Sequence, residues 1–238
     1  MTEREIRPPR REDIPALTGL WQEAFPEDTA EEIGDFFALG FAPERSLALY
    51  EGTRPLSMLY WFDGVWGGGR LAYLYAVATQ KTARGRGHSS RLIEAACEIL
   101  TKRGYAGALL VPAEPELFLF YGKLGFVPCC PGQRITVSDA EALTPLTPPE
   151  YEVFRKPFLG SGDAVLTGAA LDYFGGDGEF YEGPEGVLAL ARVPETGAPA
   201  AEGFGRIVTS TQTGGDTAMF RPLVPGALAP ERFTMTLA

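Results

Sequence analysis

The feature of the sequence that most constrains the fold is an abrupt change of pattern between residues 71 and 100. Residues 71–79 (LAYLYAVAT) are apolar at nearly every position, which is typical of a strand buried on both faces of a sheet. A loop rich in Gly, Lys and Arg follows at 81–87. Ser89 then begins a segment with apolar residues at helical spacing, namely Leu92, Ala96, Ile99 and Leu100. A central strand that passes through a glycine loop into a helix predicts an α/β fold.

The rest of the chain divides into two parts by pattern. Asp13 and Thr29 are the predicted N-caps of two helices that precede the central strand. Further strands are predicted at 46–50, 56–62, 105–111 and from 127, with a short helix at 115–123. We therefore predict an α/β domain over residues 1–130. The proline-rich residues 131–149 are the predicted linker, and residues 150–238 a smaller, mostly β accessory domain.

The charge of the chain is unevenly distributed. Its 21 basic and 31 acidic residues give a net charge of −10, which argues against a nucleic-acid partner bound through the overall field. Residues 12–44 contain nine acids and no Lys or Arg, whereas residues 64–93 contain five Lys or Arg and no acid. The two runs are either solvated faces of opposite sign, or one pocket for a cation and another for a polyanion. The motifs below favour the second interpretation.

Cysteine and histidine are too few for several kinds of site. Cys97, Cys129, Cys130 and the single histidine, His88, do not supply four regularly spaced zinc ligands. No apolar run approaches the ~20 residues of a membrane span. The first eleven residues lack the apolar stretch of a secretion signal. We therefore expect no metal, no membrane partner and a cytoplasmic location.

The glycine loop has the features of a pyrophosphate site. Where residues 85–90 lead into a helix, their free amides point outward at the positive end of the helix dipole. Gly85 and Gly87 allow a close approach of the backbone to a ligand, and Arg84 and Arg86 add positive charge. Neither the P-loop pattern nor the dinucleotide pattern G-x-G-x-x-G is present. A plain solvated turn is the alternative.

Two segments together resemble one enzyme family. Residues 84–89 (RGRGHS) are similar to the phosphate loop Arg/Gln-x-x-Gly-x-Gly/Ala of the Gcn5-related N-acetyltransferases (GNAT). Residues 75–79 (YAVAT) are similar to the strand before that loop. Residues 111–126 (VPAEPELFLFYGKLGF) resemble the family's closing pattern P-A-N-x-x-L-x-x-F-Y-x-x-x-G-F. The resemblance covers roughly residues 4–130, and it is to the subgroup with an extra C-terminal domain.

The resemblance implies a fold, a cofactor and a binding segment. The fold is a mixed central sheet with flanking helices, and the cofactor is acetyl-CoA. The backbone of Val77, Ala78 and Thr79 is expected to pair with the pantetheine arm like an added strand. The residues expected to hold the pyrophosphate, chiefly through their amides, are Arg84, Gly85, Arg86, Gly87, His88, Ser89 and Ser90.

The resemblance also implies that Tyr121 is the general acid. A phenol has a pKa of ~10, close to that of a thiol, so Tyr121 is suited to protonate the leaving thiolate. The alternative for Tyr121 is a core aromatic residue. For His88 a place beside the phosphates is favoured over a role as base. The general base is not identified: a water chain to Glu or Asp, or the chain's terminal carboxylate at 238, would serve.

The acceptor is expected to be an amine that carries positive charge. In the family fold the first two helices border the acceptor cleft, and here they carry the acid-only run. The aromatic candidates for lining this cleft, or alternatively for the core, are Trp21, Phe36, Phe37, Tyr60 and Trp61. We expect residues 150–238 to pack beside the cleft and to influence the choice of acceptor without binding CoA.

These observations predict an N-acetyltransferase that moves an acetyl group from acetyl-CoA directly to an amine of a small molecule or peptide. The alternative is a non-catalytic acyl-CoA-binding or sensing protein. Lys81 and Glu114, which stand where the family has Pro and Asn, mildly favour that alternative. Acyl transfer to a hydroxyl is a third interpretation. The sequence leaves the oligomeric state open, with a homodimer as one choice.

Overall fold

The computed structural model describes residues 4–67, 69–140, 142–177, 179–190 and 195–233. Within these ranges the α-helices are α1 (Ile14–Ala24), α2 (Ala30–Asp35), α3 (His88–Lys102), α4 (Leu117–Gly122), α5 (Pro148–Phe154) and α6 (Ala169–Asp177). The strands are β1 (Arg4–Arg7), β2 (Ser46–Glu51), β3 (Arg54–Trp66), β4 (Gly69–Thr79), β5 (Gly107–Leu110), β6 (Val127–Val137), β7 (Thr144–Leu146), β8 (Asp163–Leu166), β9 (Glu179–Gly183), β10 (Gly186–Leu190), β11 (Pro199–Ala200), β12 (Glu202–Gly205), β13 (Val208–Pro222) and β14 (Arg232–Phe233).

The main sheet is mixed and has the strand order β1-β2-β3-β4-β5-β13-β6-β11. Strands β1 to β4 are antiparallel neighbours, and β4 and β5 run parallel. Strand β8 pairs with β3, and β14 pairs with β8. The central position of β4 agrees with the expectation for an apolar segment of this kind.

The two faces of this sheet are covered by different helices. Successive side chains of a strand point to opposite faces. Tyr60 and Phe62 accordingly pack in one core with α1 and α2, whereas Leu59 and Trp61 pack in the other core with α3 and α4. We refer to these as the α1/α2 face and the α3/α4 face.

Local sequence explains where the helices begin. Thr29 caps α2, and its hydroxyl accepts from the amide of Glu32 while the Glu32 carboxylate accepts from the amide of Thr29, as the sequence pattern predicts. The predicted cap Asp13 instead precedes α1 in a 3₁₀ turn, Arg11–Asp13, and its carboxylate accepts from Arg7 and Tyr50. That carboxylate therefore ties β1 and β2 to the start of α1.

A second, smaller sheet lies in the C-terminal part of the chain. Its strand order is β12-β10-β9-β7, and all of its pairs are antiparallel. A buried ion pair between Arg155, the residue after α5, and Glu202 of β12, 2.6 Å apart, joins this sheet to the helix beside it. Tyr151 donates a second hydrogen bond to the same carboxylate.

The sheets do not separate where the sequence predicted a domain boundary. Strand β6 extends to Val137, well into the predicted linker at 131–149, which also contains β7 and the start of α5. Strand β13, from the predicted accessory region, lies between β5 and β6 in the main sheet. Residues 150–238 thus contribute to both sheets. Their last five residues, which include the terminal carboxylate considered above as a general base, lie outside the described residues.

Among the described residues, no helix is both long and apolar enough to cross a bilayer.

Candidate functional site

A cleft opens where β4 and β5 diverge. These parallel strands pair only over three residues, from Leu71 and Gly107 to Tyr73 and Leu109. Beyond that point the gap between them is a cavity of about 460 Å³, within the size range of small-molecule sites. Its walls are residues 73–77 of β4, residues 110–113 at the end of β5 and beyond it, the end of α1 with the loop after it, and α4.

A β-bulge in β4 faces this cleft. Met58 pairs with Ala78 and Tyr60 with Tyr75, so Leu59 stands opposite two residues, Ala76 and Val77. Ala76 has a φ of +47°, which is unusual for a residue other than glycine. Since β5 has already turned away, backbone groups of β4 at the bulge have no neighbouring strand on that side. They are available to an extended ligand.

The glycine loop connects the end of β4 to the first residue of α3. Gly85 and Gly87 have φ values of +74° and +72°, a region that glycine enters without strain. A Cβ at either position would meet no atom within 4 Å, so the loop is open on its outer side. No side chain caps the 15-residue helix α3. Its first amides are therefore free for an anion, as the sequence pattern predicts.

Hydrogen bonds at the end of β4 fix the loop to the sheet. The hydroxyl of Thr79 lies 2.9 Å from that of Ser57 and 2.7 Å from that of Ser89. Arg84 donates from Nε to the carbonyl oxygen of Thr79, and Ser57 donates to that of Ala78. The carbonyl oxygens of Ala78 and Thr79, in the segment predicted to pair with pantetheine, therefore already accept hydrogen bonds within the protein. Val77, the third residue of that segment, lines the cleft.

His88 has its ring turned inward, under the loop. Only 2% of the residue is exposed, and neither ring nitrogen has a partner among the described residues. Burial lowers the pKa of His88, and the positive charges of Arg4, Arg86 and Arg91 lower it further. The ring is neutral at physiological pH and both of its nitrogens are buried, so the group that His88 can offer to an anion is its backbone amide at the start of α3.

Tyr121 of α4 lines the cleft from the α3/α4 face. It is 7% exposed, and its ring contacts Phe120 and Phe126. Its hydroxyl has no hydrogen-bond partner in the part of the chain that the structure describes. Burial raises the pKa of Tyr121 to about 12. The phenol therefore stays protonated at neutral pH and is a proton donor.

The opposite wall is aromatic and acidic. Trp21 and Phe25 line it from α1 and its end, and Glu27 and Asp28 follow in the loop before α2. The indole Nε1 of Trp21 donates to Asp28 Oδ2 over 2.6 Å. Phe36, Phe37 and Tyr60 pack behind Trp21.

The sequence analysis placed some lining residues correctly and missed others. Trp61 lies on the α3/α4 face, in the core and under Arg103, so it belongs to the core alternative. Tyr73 and Tyr75 of β4 line the cleft but were not singled out. Their spacing of two within a strand places them on one face and was the available signal. Burial raises the pKa of both phenols.

Comparison with known proteins places this cleft in a family. A family model described as an acetyltransferase (GNAT) domain matches residues 5–129. No curated protein matches the chain in sequence.

Among solved structures, a GCN5-related N-acetyltransferase from Anabaena variabilis superposes with a TM-score of 0.67 at 15% identity. The superposition covers 93% of this chain and 73% of the Anabaena variabilis chain. A putative acetyltransferase from Pyrococcus horikoshii superposes with a TM-score of 0.65 at 15% identity, and the superposition covers 99% of this chain and 93% of that one. Eis1 from Mycobacterium abscessus superposes with a TM-score of 0.66 at 12% identity, and the superposition covers 93% of this chain and 74% of that one. At such identities the likeness shows the fold, and it extends over the C-terminal part of the chain.

The family match spans just over half of the chain and includes the glycine loop, the bulged strand and Tyr121. The chain therefore belongs to the GNAT family of N-acetyltransferases, enzymes that take their acetyl group from acetyl-CoA.

Proposed function

We propose that this enzyme transfers an acetyl group directly from acetyl-CoA to an amine of a cationic acceptor. One observation carries the proposal. A single cleft has a protonated phenol, Tyr121, on the α3/α4 face and the carboxylates of Glu27 and Asp28 on the α1/α2 face, with the bulged strand β4 between them.

The residues of the loop fit the donor. The uncapped amides at the start of α3 and the exposed Arg86 and Arg91 would hold the pyrophosphate. The backbone at Val77 would hold the pantetheine arm. We keep Ala78, Thr79, Arg84, Gly85, Ser89 and Ser90 as members of this binding segment; Thr79, Arg84 and Ser89 hold its shape through their hydrogen bonds.

Direct transfer is favoured by what the cleft lacks. Among the described residues that line it, none is Cys, Ser, Thr, Lys or His. The thiols of Cys97, Cys129 and Cys130 are buried in the core. A covalent acyl-enzyme is commonly formed on a Ser, Thr or Cys side chain.

Tyr121 would act as the acid. When bound, acetyl-CoA supplies an activated thioester. Tyr121 holds a proton on its phenolic oxygen and can give it to sulfur when the carbon–sulfur bond breaks. The acceptor nitrogen must lose a proton as the new bond forms, and a water chain to Glu27, at the exposed edge of the cleft, is the route we favour.

The C-terminal part of the chain supports the acceptor wall. Tyr173 of α6 is hydrogen-bonded to Tyr75, and the ring of Phe233 lies 5.1 Å from that of Tyr73. These two contacts with tyrosines of the cleft wall support a position of the C-terminal part beside the aromatic side of the cleft. We therefore propose that this part shapes acceptor choice without binding CoA.

An acceptor panel with a thiol read-out tests the proposal. It compares a diamine, an aminoglycoside, a lysine peptide, an acidic amino acid and a simple alcohol, each with acetyl-CoA. We expect the cationic amines to release CoA fastest and the product to carry an N-acetyl group. Preference for the acidic amino acid or for the alcohol would contradict the assignment of the acceptor. Binding of acetyl-CoA without turnover of any acceptor would favour a sensor.

A further inference from the structure

The loop between α1 and α2 contains a carboxylate that is held in place and has no cation beside it. Asp28 Oδ2 accepts a hydrogen bond of 2.6 Å from Trp21 Nε1. Trp21 is itself 2% exposed, so the donor is fixed by the core of the α1/α2 face. A short hydrogen bond to a charged acceptor is among the stronger kinds in proteins.

No basic side chain neutralises this carboxylate within the described ranges. Neither Asp28 nor Glu27 takes part in an ion pair there, although other surface acids of the protein do, such as Asp13 with Arg7 and Glu94 with Arg221. Asp28 nevertheless lines the cleft, and its charge contributes to raising the pKa of Tyr75 beneath it, after burial and neighbouring tyrosines. A carboxylate that lies in a cleft with no basic side chain beside it is a binding group for a cation.

The surrounding side chains favour an ammonium group in particular. Trp21, Phe25 and Tyr75 line the cleft around Asp28. Aromatic faces attract a cation, and they exclude water that would screen its charge. A hard metal ion would instead require several oxygen ligands, and the described residues offer no group of three or more carboxylate, His or Cys ligands.

The position of Asp28 distinguishes two roles for it. Tyr121 belongs to the core of the α3/α4 face, whereas Trp21 and the loop after α1 belong to the α1/α2 face, so the sheet separates the two groups. The amine that reacts must be neutral and must lie near the thioester that Tyr121 serves. A carboxylate on the far side of the sheet is therefore placed to bind a different, charged group of the same acceptor.

We propose that Asp28 is a specificity-determining residue that binds a second, non-reacting ammonium group of the acceptor, which makes diamines and polyamines the preferred class. This rests on the proposed function, because it assumes that the cleft holds the acceptor. Trp21 is the positioning residue that orients Asp28. Glu27, at the exposed edge of the same cleft, adds negative field.

Binding and turnover of two matched amines test the proposal. The probes are 1,4-diaminobutane and butylamine, which share a chain length and differ by one ammonium group. Asp28→Asn keeps the shape and the acceptor for the Trp21 indole but removes the charge. Glu31→Gln is the control, since it removes one charge from an exposed position in the same acidic run that does not line the cleft.

The expected result is a loss specific to the second ammonium. In calorimetry with CoA-saturated protein, Asp28→Asn should weaken binding of 1,4-diaminobutane by about 10- to 100-fold. Its kcat/KM for that amine should fall similarly through KM, with butylamine changed by less than about threefold. Trp21→Phe should cause a smaller loss in the same direction, and Glu31→Gln none.

Three outcomes would overturn the proposal. Equal losses for both amines with a lower kcat would place Asp28 at the reacting nitrogen. An unchanged preference in Asp28→Asn, or wild-type protein that binds both amines equally, would remove its role in specificity. Diamine binding that depends on Asp28 but gives no turnover would instead refute the proposed function while supporting this inference.

Discussion

Replacing Tyr121 with Phe removes one oxygen atom from the cleft and leaves the ring contacts with Phe120 and Phe126 in place. Because the hydroxyl has no partner among the described residues, its loss leaves no buried group unsatisfied. We expect the free energy of unfolding to change by less than about 1 kcal/mol. If Tyr121 is the general acid, kcat should fall by roughly 100-fold, or about 2.7 kcal/mol of transition-state stabilisation, with the Kd of acetyl-CoA nearly unchanged.

The pH profile and a matched variant make this prediction specific. With a pKa of about 12, only about one molecule in 10⁴ has Tyr121 ionised at pH 8, so this residue should cause no alkaline loss of kcat below roughly pH 10. Tyr73→Phe is the control, since it removes another buried phenol from the same cleft. We expect its kcat to stay within about threefold of the wild-type value. A full effect in Tyr73→Phe, or none in Tyr121→Phe, in stopped-flow measurements of thiol release would refute the assignment.

Three further substitutions test the loop, its histidine and the sheet. Calorimetry should show that Gly87→Asp weakens acetyl-CoA binding at least about 10-fold more than Gly87→Asn does. Both side chains tolerate the left-handed backbone region, but only Asp repels the pyrophosphate. Equal losses in the two variants would point to backbone strain alone. His88 has a lowered pKa, so its contribution to stability is present above pH ~6.5 and is lost as the pH falls below it. Urea unfolding at about pH 7.5 and pH 5.5 should show a larger loss for wild type than for His88→Leu, and equal losses would exclude His88 as the cause. Gly107→Ala should lower the free energy of unfolding by about 1–3 kcal/mol, since the added Cβ would overlap the Phe220 ring. The control Gly34→Ala should not lower it, because a Cβ at Gly34 would meet no atom within 4 Å. If Gly107→Ala left the free energy of unfolding unchanged, the packing of β13 on β5 would be contradicted.

The parts of the structure that were predicted from the sequence are those fixed by neighbours along the chain. The central strand, the glycine loop and the start of α3 follow from apolar periodicity and from positions where φ must be positive. The capping box at Thr29 and Glu32 is likewise a contact over three residues. Within the site, the same local signals predict free amides at the start of α3, where no side chain caps the helix, and their binding of pyrophosphate stays a prediction.

The parts that were missed depend on contacts distant in sequence. The burial of the His88 ring, close enough to Arg4 and Glu51 to feel their charges, depends on residues distant in sequence, which a helical pattern does not report. Asp28 was one acid among nine in its run, and only the fold shows that it reaches the cleft while Glu31 does not. The predicted division of the chain differed from the sheets because strand patterns predict strands but not their partners.

The position of β13 connects the C-terminal part of the chain to the cleft, although the cleft is lined mainly by residues of the N-terminal part. Strand β5 is four residues long, and it pairs with β4 over three residues on one side and with β13 over four on the other. Strand β13 holds β5 on the side away from the gap and is itself held by its pairing with β6, which supports the open gap between β4 and β5. A chain that ended near residue 144 would lose this strand and leave β5 at an exposed edge. Loss of activity in such a chain would therefore report on the cleft itself, whereas acceptor choice is tested by substitutions such as Tyr173→Phe, which removes the hydroxyl bonded to Tyr75 and leaves both sheets in place.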